Sequence, residues 1–381
     1  MNGSVRRRGD GWAYMFDVGP DPASGKRRRR SRSGFKTQRA ATQAMRAVDL
    51  GVTAPGEMPS LAAFVGEWLA GRRASLRPST WNSYKDVLEG RVVPRLGALR
   101  LGKLTPTHVA DLTVDLTKRG SRDSRRGPGL SARSVRYTLV VLTRVLNDAV
   151  KRGLIPRNPA EHVDRPRVPD KEMEWWSVDE ARTFLDYTTG DRLEALWTLL
   201  LTTGLRRGEA LGLRWDDIDF DAGRLAIRRT LVSVGYQVRW SEPKTAASRR
   251  VVALDVGTVT ALRAHRARQL EERLAIGRGY LDDGLVFADV AGETLHPDGV
   301  TQRFDRLVRD AGVRRIRLHD TRHTAATLML EQGVPLKVVI ERLGHSSTRI
   351  TADLYQHATE HMQDDAAAKL GAALLGKEGG P

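Results

Sequence analysis

Three short segments in the second half of the chain carry side chains suited to gripping a phosphate. The first, Thr203-Gly204-Leu205-Arg206-Arg207-Gly208-Glu209, follows an apolar helix expected over Leu193–Leu201. Gly204 suits the left-handed residue that ends a helix, so Arg206 is expected to project from a sharp, fixed turn. A guanidinium held that way can clamp a phosphate through two parallel hydrogen bonds, although an ordinary helix-cap arginine fits the same letters. The second segment is Leu318-His319-Asp320-Thr321-Arg322-His323, at the start of another helical stretch. His319 and Arg322 stand three apart, share a helical face and can grip one phosphate together. The third, Leu343-Gly344-His345-Ser346-Ser347, ends one helix and opens the next, with Ser346 or Ser347 as the cap. Tyr355 follows ten residues after His345. A tyrosine is a poor nucleophile while protonated, with an unperturbed pKa of ~10, but converging cations favour its phenolate. Alone, Tyr355 reads as a packing residue first and a nucleophile second. Lys244, in Glu242-Pro243-Lys244-Thr245, stands in a β region of a chain that prefers arginine, and alone it proves nothing.

Metal readings of the same letters are weaker. His319 and His323 have zinc-like spacing, but a zincin needs Glu beside its first histidine and Asp320 stands there. His357 and His361 repeat the spacing without the right acidic neighbour. Asp217-x-Asp219-x-Asp221 imitates the start of a calcium loop, then fails where Ala222 replaces the required glycine and Arg228 the required glutamate.

These side chains need elements to hold them. Ser177-Val-Asp-Glu180 has the form of a capping box and marks the start of a domain. That domain mixes helices with a short β region near Trp215 to Leu254, where Asp221-Ala-Gly223 resembles a hairpin turn. Upstream, Ser60 can cap a helix striped by Leu61, Phe64, Val65, Trp68 and Leu69. Ser79 or Thr80 is expected to open another, with Trp81, Tyr84, Val87 and Leu88. Ser131 opens a third, striped by Val135, Leu139, Leu142, Leu146 and Val150, with Gly153 and Pro156 closing it. Gly51 to Pro59, and Pro156 to Trp176, read as linkers. Residues 1–39 hold 11 Lys/Arg against Asp10, Asp17 and Asp21, a net of +8. They are interleaved with the alternating Trp12–Val18 strand, a turn at Asp21–Gly25, a returning strand at Lys26–Ser33 and a helix at Thr37–Leu50, so a small sheet with one basic face is expected rather than a tail.

Composition agrees. The 381 residues carry 63 Lys/Arg against 46 Asp/Glu, a formal charge of +17 that calls for a polyanionic partner. There is no cysteine, which removes disulfides, Cys-zinc sites and a thiol nucleophile. No apolar run approaches the ~20 residues of a membrane span, and the Arg-rich start lacks the apolar core of a secretory signal. A cytoplasmic protein with no membrane association is expected.

Taken in order, TGLRRGE, PKT, HDTRH, LGHSS and the closing T-x-x-x-Y resemble the tyrosine recombinase (phage integrase) family from Ser177 to about His361. The resemblance implies an active site of Arg206, Lys244, His319, Arg322, His345 and Tyr355, with Glu209 supporting the first arginine. It implies a multidomain fold: residues 1–55 as a small α+β arm-type DNA-binding domain (three-stranded sheet plus helix), 60–160 as an all-α core-binding helical bundle, and 175–381 as a mixed, mainly α catalytic domain with a small antiparallel β-sheet and a C-terminal tail. The implied activity is site-specific cleavage and rejoining of double-stranded DNA at core-type and arm-type attachment sites, through a 3′-phosphotyrosine and without metal or ATP. A homotetramer on DNA is implied, the tail residues Met362, Ala366, Leu370 and Leu374 docking on a neighbour, with an excisionase or host DNA-bending protein as helper. Gly208 stands where many relatives carry serine or another small residue, and Thr321 where leucine is frequent. Other readings remain: a regulator built on a helix-turn-helix over Thr324–Leu330, Gln332-Gly333-Val334 and Pro335–Leu343, or a type IB topoisomerase or telomere resolvase sharing the chemistry.

Overall fold

The structure is a computed structural model that describes residues 3–20, 27–49, 58–120, 128–169, 174–241, 249–344, 370, 371 and 374. The chain divides into two compact units, Met1–Asp170 and Lys171–Pro381.

The first unit begins with β1 (Gly3–Arg8), β2 (Gly11–Pro20) and β3 (Arg27–Phe35), an antiparallel sheet in that order. Alternation does the sorting: Val5 pairs with Tyr14 across β1 and β2. Tyr14 then packs with Phe35 and with Met45 of α1 (Gln38–Asp49). Arg6, Arg7, Arg8 and Arg32 are left exposed. The expected turn at 21–25 and most of the expected linker at 51–59 lie outside the described residues.

Ser60 caps α2 (Leu61–Arg72) by accepting from the Ala63 amide, and the predicted stripe from Leu61 to Leu69 is buried. Helix α3 (Pro78–Val87) starts before the expected Ser79 or Thr80. Pro78 supplies the reason, because a proline at the first helical position loses no hydrogen bond and has its φ already set. A π-helical turn, Leu88–Val92, joins it to α4 (Val93–Leu96), and α5 (Pro106–Arg119) and α6 (Ala132–Lys151) complete the bundle. Ser131 caps α6 as expected. Asp148 of α6 accepts from Trp68 Nε1 at 2.9 Å and from Arg72, stapling α2 to α6. The stretch after Pro156 departs from a free linker: Pro159–His162 forms a 3-10 turn whose Pro159 and Ala160 are buried against this bundle.

The second unit opens with α7 (Val178–Tyr187), where Ser177 and Glu180 close the predicted capping box. Then come α8 (Glu194–Thr203) and α9 (Arg207–Leu211), followed by strands β4 (Ile218–Asp219), β5 (Arg224–Ile227), β6 (Thr230–Val234), β7 (Gln237–Ser241) and β8 (Arg250–Ala253). The strands form two antiparallel sheets, β4-β5-β8 and the hairpin β6-β7. The helices α10 (Val256–Ile276), α11 (Pro297–Asp310), α12 (Thr321–Glu331) and α13 (Leu336–Leu343) follow. The turn at Asp221–Gly223 is present, Gly223 supplying a φ of +58°.

An aromatic cluster of Trp176, Phe184, Trp197 and Phe304 fixes α7, α8 and α11 together, its ring centroids 4.9–6.4 Å apart. Each such buried side chain contributes roughly 1.5–3 kcal/mol. The Trp176 amide also donates to Thr324 Oγ1 of α12 at 3.1 Å. The core therefore places α12 against the end of α8, where the first and second phosphate-gripping segments meet. Among the described residues, no helix is long and apolar enough to cross a membrane.

Candidate active site

Gly204 ends α8 in the left-handed region, φ +64°, and a Cβ there would run into Leu343. The chain then turns, and Arg206 becomes the residue before α9. Its own amide donates to Glu209 Oε2 at 3.1 Å, and its Nη1 to Glu209 Oε1 at 2.6 Å. Arg206 is thus a helix-cap arginine as well as an aimed one, since the same carboxylate fixes both its backbone and its guanidinium.

Glu209 is buried, its side chain 4% exposed, and is shared with Arg250 of β8, whose Nη2 lies 3.1 Å from Oε2. Burial alone would raise this carboxyl; the Arg250 and Arg206 cations overrule it and hold it below the usual carboxylate range.

Arg322, in the first turn of α12, is buried in the same place. Its Nη1 donates to Gly204 O at 2.9 Å and its Nη2 to Leu343 O at 2.5 Å. Burial first, then the Arg206 cation, pushes it down to about 9, so it still carries its charge at neutral pH. Arg206 Nη2 reaches Gly344 O at 3.2 Å. Two arginines from elements far apart in sequence therefore converge on the last carbonyls of α13, whose C-terminal Gly344 again has a left-handed φ of +66°.

His319 sits in a 3-10 turn, Leu318–Asp320, just before α12. The residue is exposed, and its ring stands edge-on to His323 with centroids 5.7 Å apart. Burial, then His323 and Arg322, lower its pKa to about 4, which leaves it neutral. Asp320 is held by Arg317, through Nε at 2.8 Å and Nη2 at 2.7 Å.

Of the six side chains expected in the site, the structure brings Arg206 and Arg322 to one point, with His319 in the turn that leads into Arg322. Lys244, His345 and Tyr355 lie outside the described residues, as do Met362 and Ala366 of the tail. Arg250 is a member of the cluster that the sequence alone did not mark. The helix-turn-helix outline is present in α12 and α13 with Gly333 at the turn, φ +75°. Yet α12 is buried through Thr321, Arg322, Thr324, Ala325, Ala326, Thr327 and Leu330, so it is a core helix rather than a free reading head. The calcium-like triplet is also explained otherwise: Asp217 is buried against Arg228 and Arg229, and Asp219 accepts from the amides of its own turn.

Comparison with known proteins adds three matches along the chain. Residues 175–362 match the phage integrase family, 4–49 an arm DNA-binding domain, and 60–116 a phage integrase N-terminal SAM-like domain. A XerC-like tyrosine recombinase of Caldanaerobacter subterraneus subsp. tengcongensis is 35% identical over 260 residues, covering 64% of this chain and 66% of that relative. The ICEBs1 integrase of Bacillus subtilis is 26% identical over 381 residues, covering 96% of this chain and 99% of the relative. Among solved structures, the Tn1549 transposon integrase in complex with a circular intermediate DNA superposes with a TM-score of 0.67 at 19% identity, over 82% of this chain and all of that one. That likeness concerns the fold, mostly helical with small antiparallel sheets.

Proposed function

The chain belongs to the phage integrase family, and from that premise we propose that it breaks and reseals DNA strands at specific sites by transferring the broken end to Tyr355. The observation that carries this reading is the convergence of Arg206 and Arg322 on the end of α13, just before the segment that holds His345 and Tyr355.

In this reading the Tyr355 oxygen attacks the scissile phosphorus and the bond from phosphorus to the 5′-oxygen breaks. The products are a 3′-phosphotyrosine and a 5′-hydroxyl. Negative charge grows on the non-bridging oxygens as five-coordinate phosphorus forms, and Arg206 and Arg322 stabilise it, with His345 as a further donor. His319, held neutral, takes the phenol proton, and Lys244 supplies one to the departing oxygen. Rejoining runs the same path backwards with another strand's 5′-hydroxyl as nucleophile. The bond energy stays in the phosphotyrosine, so the proposed cycle consumes neither ATP nor a metal.

Exchange between two duplexes asks for four protomers, with the tail beyond Tyr355 docking on a neighbour. Leu370 and Leu374 fit this: both are helical and exposed, 61% and 73%. Residues 1–55 serve as the arm-type DNA contact, 60–160 as the core-type contact and 175–381 as the cutting domain. An excisionase or host DNA-bending protein sets direction, and the reaction takes place in the cytoplasm. DNA fragments spanning the junction of the excised, circularised element supply the attachment site.

Covalent capture tests the proposal. On a nicked duplex carrying that junction, the short downstream fragment with the new 5′-hydroxyl diffuses away and the adduct accumulates. Tyr355→Phe is expected to bind the site with unchanged affinity and yield no adduct; an adduct from that variant refutes the assignment.

A further inference from the structure

Helix α13 ends with carbonyls that have no partner within the helix, as every α-helix does. Here three arginines from three elements take them in succession. Arg250 Nε donates to Arg342 O at 2.6 Å, Arg322 Nη2 to Leu343 O at 2.5 Å, and Arg206 Nη2 to Gly344 O at 3.2 Å. Cations at a helix C-terminus are favoured by the helix dipole as well. Two of the three belong to the site proposed above; Arg250 does not.

Arg250 is buried on β8, its side chain 7% exposed. Its two terminal nitrogens face the two Glu209 oxygens, at 3.1 and 3.4 Å. Glu209 in turn grips both the amide and the guanidinium of Arg206. The link between β8 and α13 is also returned: Arg342 Nη1 donates to Ala253 O of β8 at 2.9 Å, and its Nη2 to Thr202 O of α8 at 3.2 Å. Among the described residues, three arginines gather at the one carboxylate of Glu209 and the end of α13. Removing Arg250 would free Glu209 to collapse wholly onto Arg206 and neutralise it.

We propose that Arg250 is a positioning residue for strand cleavage, dividing Glu209 so that Arg206 stays directed at the phosphate and seating the end of α13 from which the Tyr355 segment departs. It rests on the recombinase reading of the site. Among the described residues Arg250 grips Glu209 and the Arg342 carbonyl. Its action is indirect, and the geometry it controls is the placement of charge relative to the scissile phosphate.

The test uses the full-length chain on the nicked junction duplex, once with the natural scissile phosphate and once with a methylphosphonate there. The methylphosphonate lacks the negative charge that Arg206 is placed to neutralise. Arg250→Lys keeps a cation beside Glu209 but loses the planar fork. It is expected to bind DNA as the wild type does and to form adduct on the order of 10²-fold more slowly with the phosphate, the usual cost of one lost stabilising group. With the methylphosphonate its deficit is expected to shrink to about tenfold or less, as for Arg206→Ala. A loss of packing alone would slow both substrates equally. In addition, Arg250→Lys combined with Glu209→Gln is expected to be no slower than the slower single variant, because both act on one chain of contacts. Wild-type speed for Arg250→Lys, equal deficits on both substrates, or independent effects of the two substitutions each overturn the positioning role alone. Absence of adduct from the wild type overturns the recombinase reading and this role with it.

Discussion

In the proposed cycle His319 takes a proton from a phenol, so it has to be unprotonated beforehand, and its surroundings arrange this. Loss of water around the ring is the largest cause, with His323 and Arg322 next, and together they lower its pKa to about 4. An imidazole at its ordinary value of ~6.5 would be half protonated at that pH and useless as a base below it. A depressed value keeps the base available to lower pH. An incoming phosphate raises the value again, but from a lower start. The acid limb of single-turnover adduct formation is therefore expected between pH 4 and 6.5, and to vanish in His319→Gln, which is slower at every pH. A limb centred above 6.5 that survives in His319→Gln would take His319 out of the proton path.

Among the elements, the joint between α8 and α13 does the aligning, and Gly204 is its hinge pin. The residue is left-handed at φ +64°, its carbonyl receives Arg322, and a Cβ would collide with the Leu343 side chain. For any other L-residue the backbone alone costs about 1–2 kcal/mol. Gly204→Ala is expected to lower the free energy of urea unfolding by at least that cost, and to slow adduct formation; an unchanged unfolding curve would mean that the joint relaxes freely. This joint was half legible in the sequence. Gly204 and Arg206 stood out because helix ending and arginine placement are local matters, and the His319–Arg322 spacing is local too. Arg250 was not legible, since its partners Glu209 and Arg342 lie 41 and 92 residues away and only the folded sheet brings them to it. Gly208 looked like a neutral departure from relatives with serine. The structure gives it a reason, because β6 passes so close that a Cβ would strike the Leu231 carbonyl. The start of α3 was misplaced because the serine and threonine after Pro78 resembled caps, whereas the proline had already begun the helix.

At the scale of the whole chain, the basic surplus is not spread evenly, and this predicts how affinity is divided. Residues 1–39 carry a net charge of +8, with Arg6, Arg7, Arg8 and Arg32 exposed on or beside a folded sheet. A folded basic face has a fixed spacing of charges, so it suits a second DNA site rather than diffuse attraction. Two linked binding modules gain by effective concentration, which raises affinity by about 10²–10⁴-fold only when both sites are on the same DNA. Deleting residues 1–55 is therefore expected to weaken binding to a duplex with both arm-type and core-type sites by at least about 10²-fold, while binding to a core-only duplex stays the same. Every phosphate that the shortened chain no longer neutralises also flattens the dependence of log affinity on log salt by about 0.9, so its slope should be shallower on the longer DNA only. The tether offers a finer test of the same idea. The segment 51–57 joins the two modules, and doubling its length with Gly and Ser should cost about threefold in affinity for the bipartite duplex if it already spans both sites comfortably. Equal weakening on both duplexes would instead mean that residues 1–55 support the folding of the remainder of the first unit, and that the arm reading is wrong.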